Sequence, residues 1–146
     1  LLLVGRKAWD FEDVDQTWSQ MQYKNDVHFL GHVPADKLGS IVASAFAMVY
    51  VSLFEGFGIP IVEAMSCDVP VITSNITSMP EAGGDAALLV NPYQVSEISH
   101  AMQQLATDAN LHNSLIQKGQ GQVKKFSWDL TAQRLWQCCT TVMRQG

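Results

Sequence analysis

Five short apolar runs, separated by stretches with helical periodicity, constrain the fold of this sequence more than any other feature. The runs are mostly apolar throughout rather than alternating with polar residues, and they lie at Leu1–Val4, Val27–Leu30, Phe46–Val51, Val69–Thr73 and Ala87–Val90. Strands of this kind are typical of a parallel sheet whose two faces are both covered by helices.

The intervening segments carry apolar residues at three- and four-residue spacings, which predicts helices that bury one face. We expect these helices at Phe11–Tyr23, Ala35–Ser44, Pro60–Cys67, Val95–Thr107, Asn110–Lys125 and Trp128–Arg144. Ser127 is a suitable N-cap for the last of them. Alternating strands and helices build an open sheet with right-handed crossovers. The predicted fold class is therefore α/β, with a doubly wound parallel sheet and a helical C-terminal tail.

Composition excludes several classes of protein. With 146 residues, 47% of them hydrophobic, the chain is long enough for one domain with a real core. The formal net charge is -5 and there are only 9 Lys and Arg residues, so no basic face is expected for nucleic acid. Three cysteines, two of them adjacent (Cys67, Cys138 and Cys139), fit neither a disulfide framework nor a metal site. We expect reduced, buried thiols and a cytoplasmic location.

One loop combines glycines with two carboxylates. Residues 52–64 follow the third predicted strand and read Ser-Leu-Phe-Glu-Gly-Phe-Gly-Ile-Pro-Ile-Val-Glu-Ala. Gly56 and Gly58 can adopt conformations closed to other residues. Placed ahead of a helix that we expect to begin at Pro60, their N–H groups favour a phosphate. In open α/β sheets, such loops at the carboxyl ends of strands bind ligands.

The two carboxylates flank the glycines. Glu55 precedes them, and Glu63 follows on what we expect to be the first helical turn. Carboxylates accept hydrogen bonds from vicinal hydroxyls, so the loop suits a phosphate between two hydroxyl-rich ends, as in a nucleotide sugar. The alternative is a tight turn followed by a solvated Glu63 that favours the helix dipole.

This segment resembles a known family. Glu55 and Glu63, with Gly-Phe-Gly-Ile-Pro between them, are similar to the E-x7-E signature of retaining group-1 glycosyltransferases (family 4, glycogen-synthase-like), which have the GT-B fold. Further segments resemble the same family in the same order: Val27–Pro34, Val69–Asn75, Met79–Glu81, Gly84–Pro92 and Phe126–Trp128. The resemblance implies that residues 1–146 are the Rossmann-like C-terminal lobe, which binds the donor.

The resemblance also implies roles for individual residues. Glu63 would hold the ribose hydroxyls, and Glu55 is the candidate catalytic residue, beside the donor sugar's hydroxyls. Donor contacts are expected from the backbone of four loop residues, from the base-side loop and from a glycine turn: Gly56, Phe57, Gly58, Ile59, Val33, Gly5, Arg6 and Lys7. Arg6 or Lys7 would offer charge to the diphosphate, or would form a solvated turn pair.

In this family the reaction retains anomeric configuration and is usually metal-independent, so the resemblance implies no cofactor beyond the nucleotide-sugar donor. The departing nucleotide is stabilised by an Arg and a Lys on the first strand–helix unit of the lobe, which we do not find in this sequence. We therefore expect a fragment that lacks this unit and the N-terminal acceptor lobe, and that is inactive alone. The acceptor would be a glycan or a lipid-linked glycan in polysaccharide biosynthesis.

Other interpretations stay open at this point. They are an epimerase-like nucleotide-sugar enzyme of the same fold and a non-catalytic nucleotide-binding module. Peripheral membrane association of the full-length protein is left open. Self-association through exposed apolar residues of the last helix is open as well, and these residues are Leu135, Trp136, Val142 and Met143.

Overall fold

The computed structural model describes residues 1–7 and 11–145 and divides into two compact units, Leu1–Ser40 and Ile41–Gly146. The first unit contains β1 (Leu2–Val4), α1 (Glu12–Gln20), a 3-10 turn (Lys24–Asp26), β2 (His28–Gly31) and the start of α2 (Ala35–Ala43). β1 and β2 pair in parallel, with Leu2 opposite His28 and Leu3 opposite Phe29.

Three aromatic rings hold the first unit together around β2. The Phe29 ring meets the rings of Phe11 and Trp18 edge-on, with centroids 5.8 and 5.7 Å apart. The side chains of β1 and β2 are otherwise exposed or half-buried. The expectation that these two strands are covered on both faces is therefore wrong in this structure.

The second unit contains a three-stranded parallel sheet in the order β3-β4-β5. Its elements are β3 (Met48–Tyr50), α3 (Ile59–Ser66), β4 (Val71–Ser74), α4 (Met79–Gly83), a 3-10 turn (Gly84–Ala86), β5 (Ala87–Val90), α5 (Val95–Thr107), α6 (Ala109–Val123) and α7 (Trp128–Gln145). Among the described residues, the strands thus form two hydrogen-bonded sheets, β1-β2 and β3-β4-β5, and the strands within each sheet are parallel.

Strand β4 is buried at every position because helices pack on both of its faces. Val71 belongs to a core cluster with Ile61 of α3, and Ile72 belongs to a second cluster with Leu105 of α5. Each fully buried aliphatic side chain contributes about 1.5–3 kcal/mol to the free energy of unfolding. The apolar run Val69–Thr73 is therefore explained, and the predicted α/β fold with helices on both sides of a parallel sheet is confirmed.

Several predicted boundaries agree with the structure. β5 and α5 lie at the predicted residues, and α7 begins at Trp128. The predicted N-cap is confirmed, because the Ser127 hydroxyl accepts a 3.0 Å hydrogen bond from the Leu130 N–H. The five-residue helix α4 was not predicted, because one turn and a half is too short to show a periodicity.

Helix α7 exposes most of its apolar side chains, including Trp128, Leu135, Trp136, Val142 and Met143. Cys138 and Cys139 on the same helix are exposed and Cys67 is half-buried, so the expectation of buried thiols is wrong, although all three are free. No helix in the described part of the chain has both the length and the apolar character needed to cross a lipid bilayer.

Candidate active site

The loop between β3 and α3 is held by hydroxyl groups from the neighbouring part of the chain. The parallel pairing of β3 with β4 ends at Tyr50 opposite Thr73. At this pair the Thr73 hydroxyl also donates to the Tyr50 carbonyl at 2.8 Å. Beyond it, the Ser74 hydroxyl donates to the Ser52 carbonyl. The Ser78 hydroxyl donates to the Glu55 carbonyl at 2.8 Å. The loop that carries Glu55 is therefore anchored to the β4 side of the sheet edge.

The carboxylate of Glu55 is bound through one of its two oxygens. The Tyr50 hydroxyl donates to Oε1 at 2.6 Å, and the Ser52 hydroxyl donates to the same oxygen at 3.0 Å. Oε2 has no protein partner among the described residues. Burial and then the adjacent Glu55 carboxylate raise the pKa of Tyr50 to about 12, so the phenol keeps its proton at neutral pH.

The two glycines of the loop differ in what they require. Gly58 is left-handed, with φ of 98°, and a Cβ there would lie 3.0 Å from the Met79 Cε atom. Gly56 is not among the residues with positive φ, and a Cβ there would meet nothing within 4 Å. The expectation of a special backbone conformation is therefore confirmed for Gly58 and wrong for Gly56.

The backbone of this loop presents a run of unpaired donors. Within the described residues, the N–H groups of Gly56, Phe57, Gly58 and Ile59 donate to no protein acceptor. The run leads into the N-terminus of α3, where the helix dipole is positive. The Phe57 ring packs edge-on against the Phe126 ring, with the ring centroids 5.2 Å apart. The arrangement is chemically suited to an anion.

Helix α3 begins one residue earlier than predicted, and this changes the position of Glu63. The helix starts at Ile59, so Pro60 is its second residue and Glu63 its fifth. Glu63 therefore lies in the second turn rather than the first, because one turn takes 3.6 residues. Its side chain is exposed and has no hydrogen-bond or ion-pair partner in the described part of the chain.

The other predicted donor contacts lie in the first unit. Gly5 has a φ of 135° and donates its N–H to the Gly31 carbonyl at 2.9 Å, where β1 and β2 end. Lys7 forms a 2.8 Å ion pair with Asp15, so its ammonium group already has an anionic partner. Arg6 is exposed, and Val33 is half-buried in the loop between β2 and α2.

The contacts of Glu55 were not predicted from the sequence. Tyr50 was assigned only to a strand, and the serines Ser52 and Ser78 only to loops. A usable signal exists, because hydroxyl residues follow two adjacent predicted strands whose carboxyl ends meet at one edge of the sheet. Within residues 1–7 and 11–145, no three His, Cys, Asp or Glu side chains come close enough to hold a metal ion.

Known proteins are similar to this chain in both sequence and fold. The O-antigen chain mannosyltransferase B of Escherichia coli is 40% identical over 129 residues, which are 88% of this chain and 34% of that protein. The chain thus spans about a third of the length of this curated relative.

Two solved structures extend the comparison. A sucrose-phosphate synthase from Thermosynechococcus elongatus superposes with a TM-score of 0.78 and 26% identity over 100% of this chain and 39% of that one. The Anabaena protein Alr3699/HepE in complex with UDP-glucose superposes with a TM-score of 0.83 and 21% identity over 96% of this chain and 40% of that one. The family model described as glycosyl transferases group 1 matches residues 1–122. The chain therefore belongs to the group 1 glycosyltransferases and has the fold of the C-terminal lobe of the GT-B enzymes.

Proposed function

We propose that this chain is the donor-binding lobe of a retaining glycosyltransferase that transfers a hexose from a nucleotide-diphosphate sugar to a glycan or lipid-linked acceptor. The observation that carries the proposal is the run of four N–H groups at 56–59 that have no acceptor among the described residues and that end at Ile59, the first residue of α3. Donors in this arrangement complement a diphosphate.

In the proposed complex, each of the two carboxylates binds one end of the nucleotide sugar. Glu63 is exposed and unpaired in the described part of the chain. In our proposal it accepts hydrogen bonds from the ribose hydroxyls. Oε2 of Glu55, which has no protein partner among the described residues, accepts hydrogen bonds from hydroxyls of the donor sugar. The donor contacts of Val33, Gly5 and Arg6, which belong to the first unit, stay predictions that rest on the resemblance. The same holds for Lys7, which is paired with Asp15 here.

The proposed reaction needs no metal ion. The charge that develops on the departing nucleoside diphosphate is stabilised by preorganised backbone N–H groups and basic side chains. The mannosyltransferase relative supports a hexose donor and a role in polysaccharide assembly. The complex of Alr3699/HepE with UDP-glucose supports a nucleotide sugar as ligand. A cytoplasmic location stays a prediction.

Calorimetric titration of the chain with UDP and GDP tests the site. We expect Glu63→Ala to weaken binding of the preferred nucleotide about tenfold, because two charge-assisted hydrogen bonds to the ribose are lost. Glu12→Ala removes an exposed carboxylate on α1 and serves as the matched control. Unchanged affinity in Glu63→Ala would contradict the assignment of Glu63.

We further propose that residues 1–146 bind the donor without transferring it, because the matched residues are only 34% of the curated relative. Incubation with UDP-glucose or GDP-mannose and a glycan acceptor should release no nucleoside diphosphate above the uncatalysed rate. Robust turnover by the chain alone would show that it contains all the groups that the reaction needs.

A further inference from the structure

Oε1 of Glu55 is fully engaged within the protein. A carboxylate oxygen has two lone pairs, and here both face hydroxyl donors. The 2.6 Å distance from the Tyr50 hydroxyl is typical of a charge-assisted O–H···O⁻ bond. The Ser52 hydroxyl is farther away, at 3.0 Å, and its single proton also has the Phe54 carbonyl within 3.3 Å. Tyr50 is therefore the main donor to this carboxylate.

Tyr50 is itself fixed in place. It is the last residue of β3, paired with Thr73 of β4, and its carbonyl accepts the Thr73 hydroxyl at 2.8 Å. Its side chain is half-buried and packs against the core cluster that contains Ile61 and Val71. A strand residue with few rotamers thus holds the end of a flexible loop side chain.

We propose that Tyr50 is a positioning residue that orients Glu55, so that Oε1 is satisfied within the protein and Oε2 is left for a hydroxyl of the donor sugar. This inference rests on the proposed function for the assignment of Glu55 to the sugar.

The physical benefit is preorganisation. Ordering a free Glu side chain costs conformational entropy, because the side chain gives up most of its rotamers. When Tyr50 orders the side chain before the ligand arrives, binding no longer bears that cost. The hydroxyl carries its proton throughout the neutral range, and the pKa of Tyr50, raised from 10.0 to about 12, extends this into alkaline pH.

The experiment compares each nucleotide sugar with its nucleotide by calorimetry on the chain: UDP-glucose with UDP, and GDP-mannose with GDP. The ratio of the two dissociation constants isolates the contribution of the sugar. The variants are Tyr50→Phe, Glu55→Ala and the double variant, with Tyr23→Phe as the control. Tyr23 is 67% exposed and its side chain has no hydrogen bond among the described residues, so the same chemical change is made away from Glu55.

We expect Tyr50→Phe to reduce the sugar's contribution about five- to tenfold and to leave the affinity for the nucleotide alone within twofold. In the Glu55→Ala background, the same substitution should change nothing beyond twofold, because its target is absent. Tyr23→Phe should match the wild type. Urea unfolding of each variant verifies that the fold is retained.

The contrary results are distinguishable. A Tyr50→Phe variant with an intact sugar contribution, with equal losses for nucleotide and nucleotide sugar, or with an undiminished effect beside Glu55→Ala would overturn the positioning role alone. A Glu55→Ala variant with an intact sugar contribution would overturn the assignment of Glu55. A wild-type chain that binds no nucleotide would overturn the proposed function and this inference together.

Discussion

The hydroxyl of Ser78 donates a 2.8 Å hydrogen bond to the main-chain carbonyl of Glu55, and so joins the turn after β4 to the loop after β3. Together with the bond from the Ser74 hydroxyl to the Ser52 carbonyl, it extends the link between the two strands beyond the last pair of the backbone ladder. The loop of the candidate site is therefore positioned by the central strand of the sheet, which is the most buried strand of the unit.

Replacement of Ser78 should loosen this loop. In Ser78→Ala, the partly buried Glu55 carbonyl loses its donor, and we expect the free energy of unfolding to fall by about 1 kcal/mol. Ser66→Ala is the matched control, because that hydroxyl donates to the Val62 carbonyl on the exposed side of α3. Urea denaturation measures both. Equal effects of the two substitutions would contradict a special role for the Ser78 bond.

The glycines of the loop should respond differently to alanine. Gly58→Ala places a Cβ at a φ of 98°, 3.0 Å from Met79 and 3.1 Å from Ile61, and should cost roughly 2 kcal/mol or more. Gly56→Ala meets open space and should change stability by less than about 0.5 kcal/mol. The comparison uses urea midpoints of the two variants. A Gly58→Ala chain as stable as Gly56→Ala would show that the loop relaxes without cost.

The sequence was informative where one chemical property decides the structure. The apolar run Val69–Thr73 correctly indicated a strand covered on both faces, because only such a strand tolerates apolar side chains on both sides. The apolar run Phe46–Val51 and the proline at 60 correctly placed the candidate loop between a strand and a helix. The apolar run at Leu1–Val4 predicted a strand but not its exposure, because a run of Leu and Val does not reveal what covers it.

The contacts within the site depend on the conformation of the loop and on the register between strands, and no local pattern contains either. Tyr50 meets Glu55 only five residues further along the chain, in the loop after β3. Ser78 reaches the same loop across 23 residues. The ion pair between Lys7 and Asp15 likewise joins the glycine turn after β1 to helix α1, and the sequence offered the lysine only as a donor contact or a solvated residue.

A buried glutamine holds the end of α4. Gln122 of α6 is 4% exposed, and its amide nitrogen donates to the carbonyls of Glu81 and Ala82 at 3.0 and 3.1 Å. Gln122→Ala leaves these two carbonyls without a donor, and we expect a loss of about 2 kcal/mol in the free energy of unfolding. Gln117→Ala, an exposed position on the same helix, should be near neutral. Guanidinium unfolding monitored by circular dichroism tests the pair, and a neutral Gln122→Ala would show that water replaces the amide.

Tyr50 should make the folded chain sensitive to alkaline pH. Its pKa is raised from 10.0 to about 12 in the folded chain, chiefly by burial and then by Glu55, so the unfolded state releases this proton at lower pH than the folded state. Stability from this group is therefore fully present below about pH 10 and is lost as pH rises towards about pH 12. Tyr50→Phe has no proton to lose.

We therefore expect the urea midpoint of the wild type to fall relative to that of Tyr50→Phe across this interval, and the difference to be constant below it. The ultraviolet absorbance of tyrosinate offers a second measurement in a variant with Tyr23→Phe and Tyr93→Phe, where Tyr50 is the one remaining tyrosine. A midpoint difference that is flat through pH 12, together with a tyrosinate transition near pH 10, would show that the Tyr50 hydroxyl is not held against Glu55 in solution.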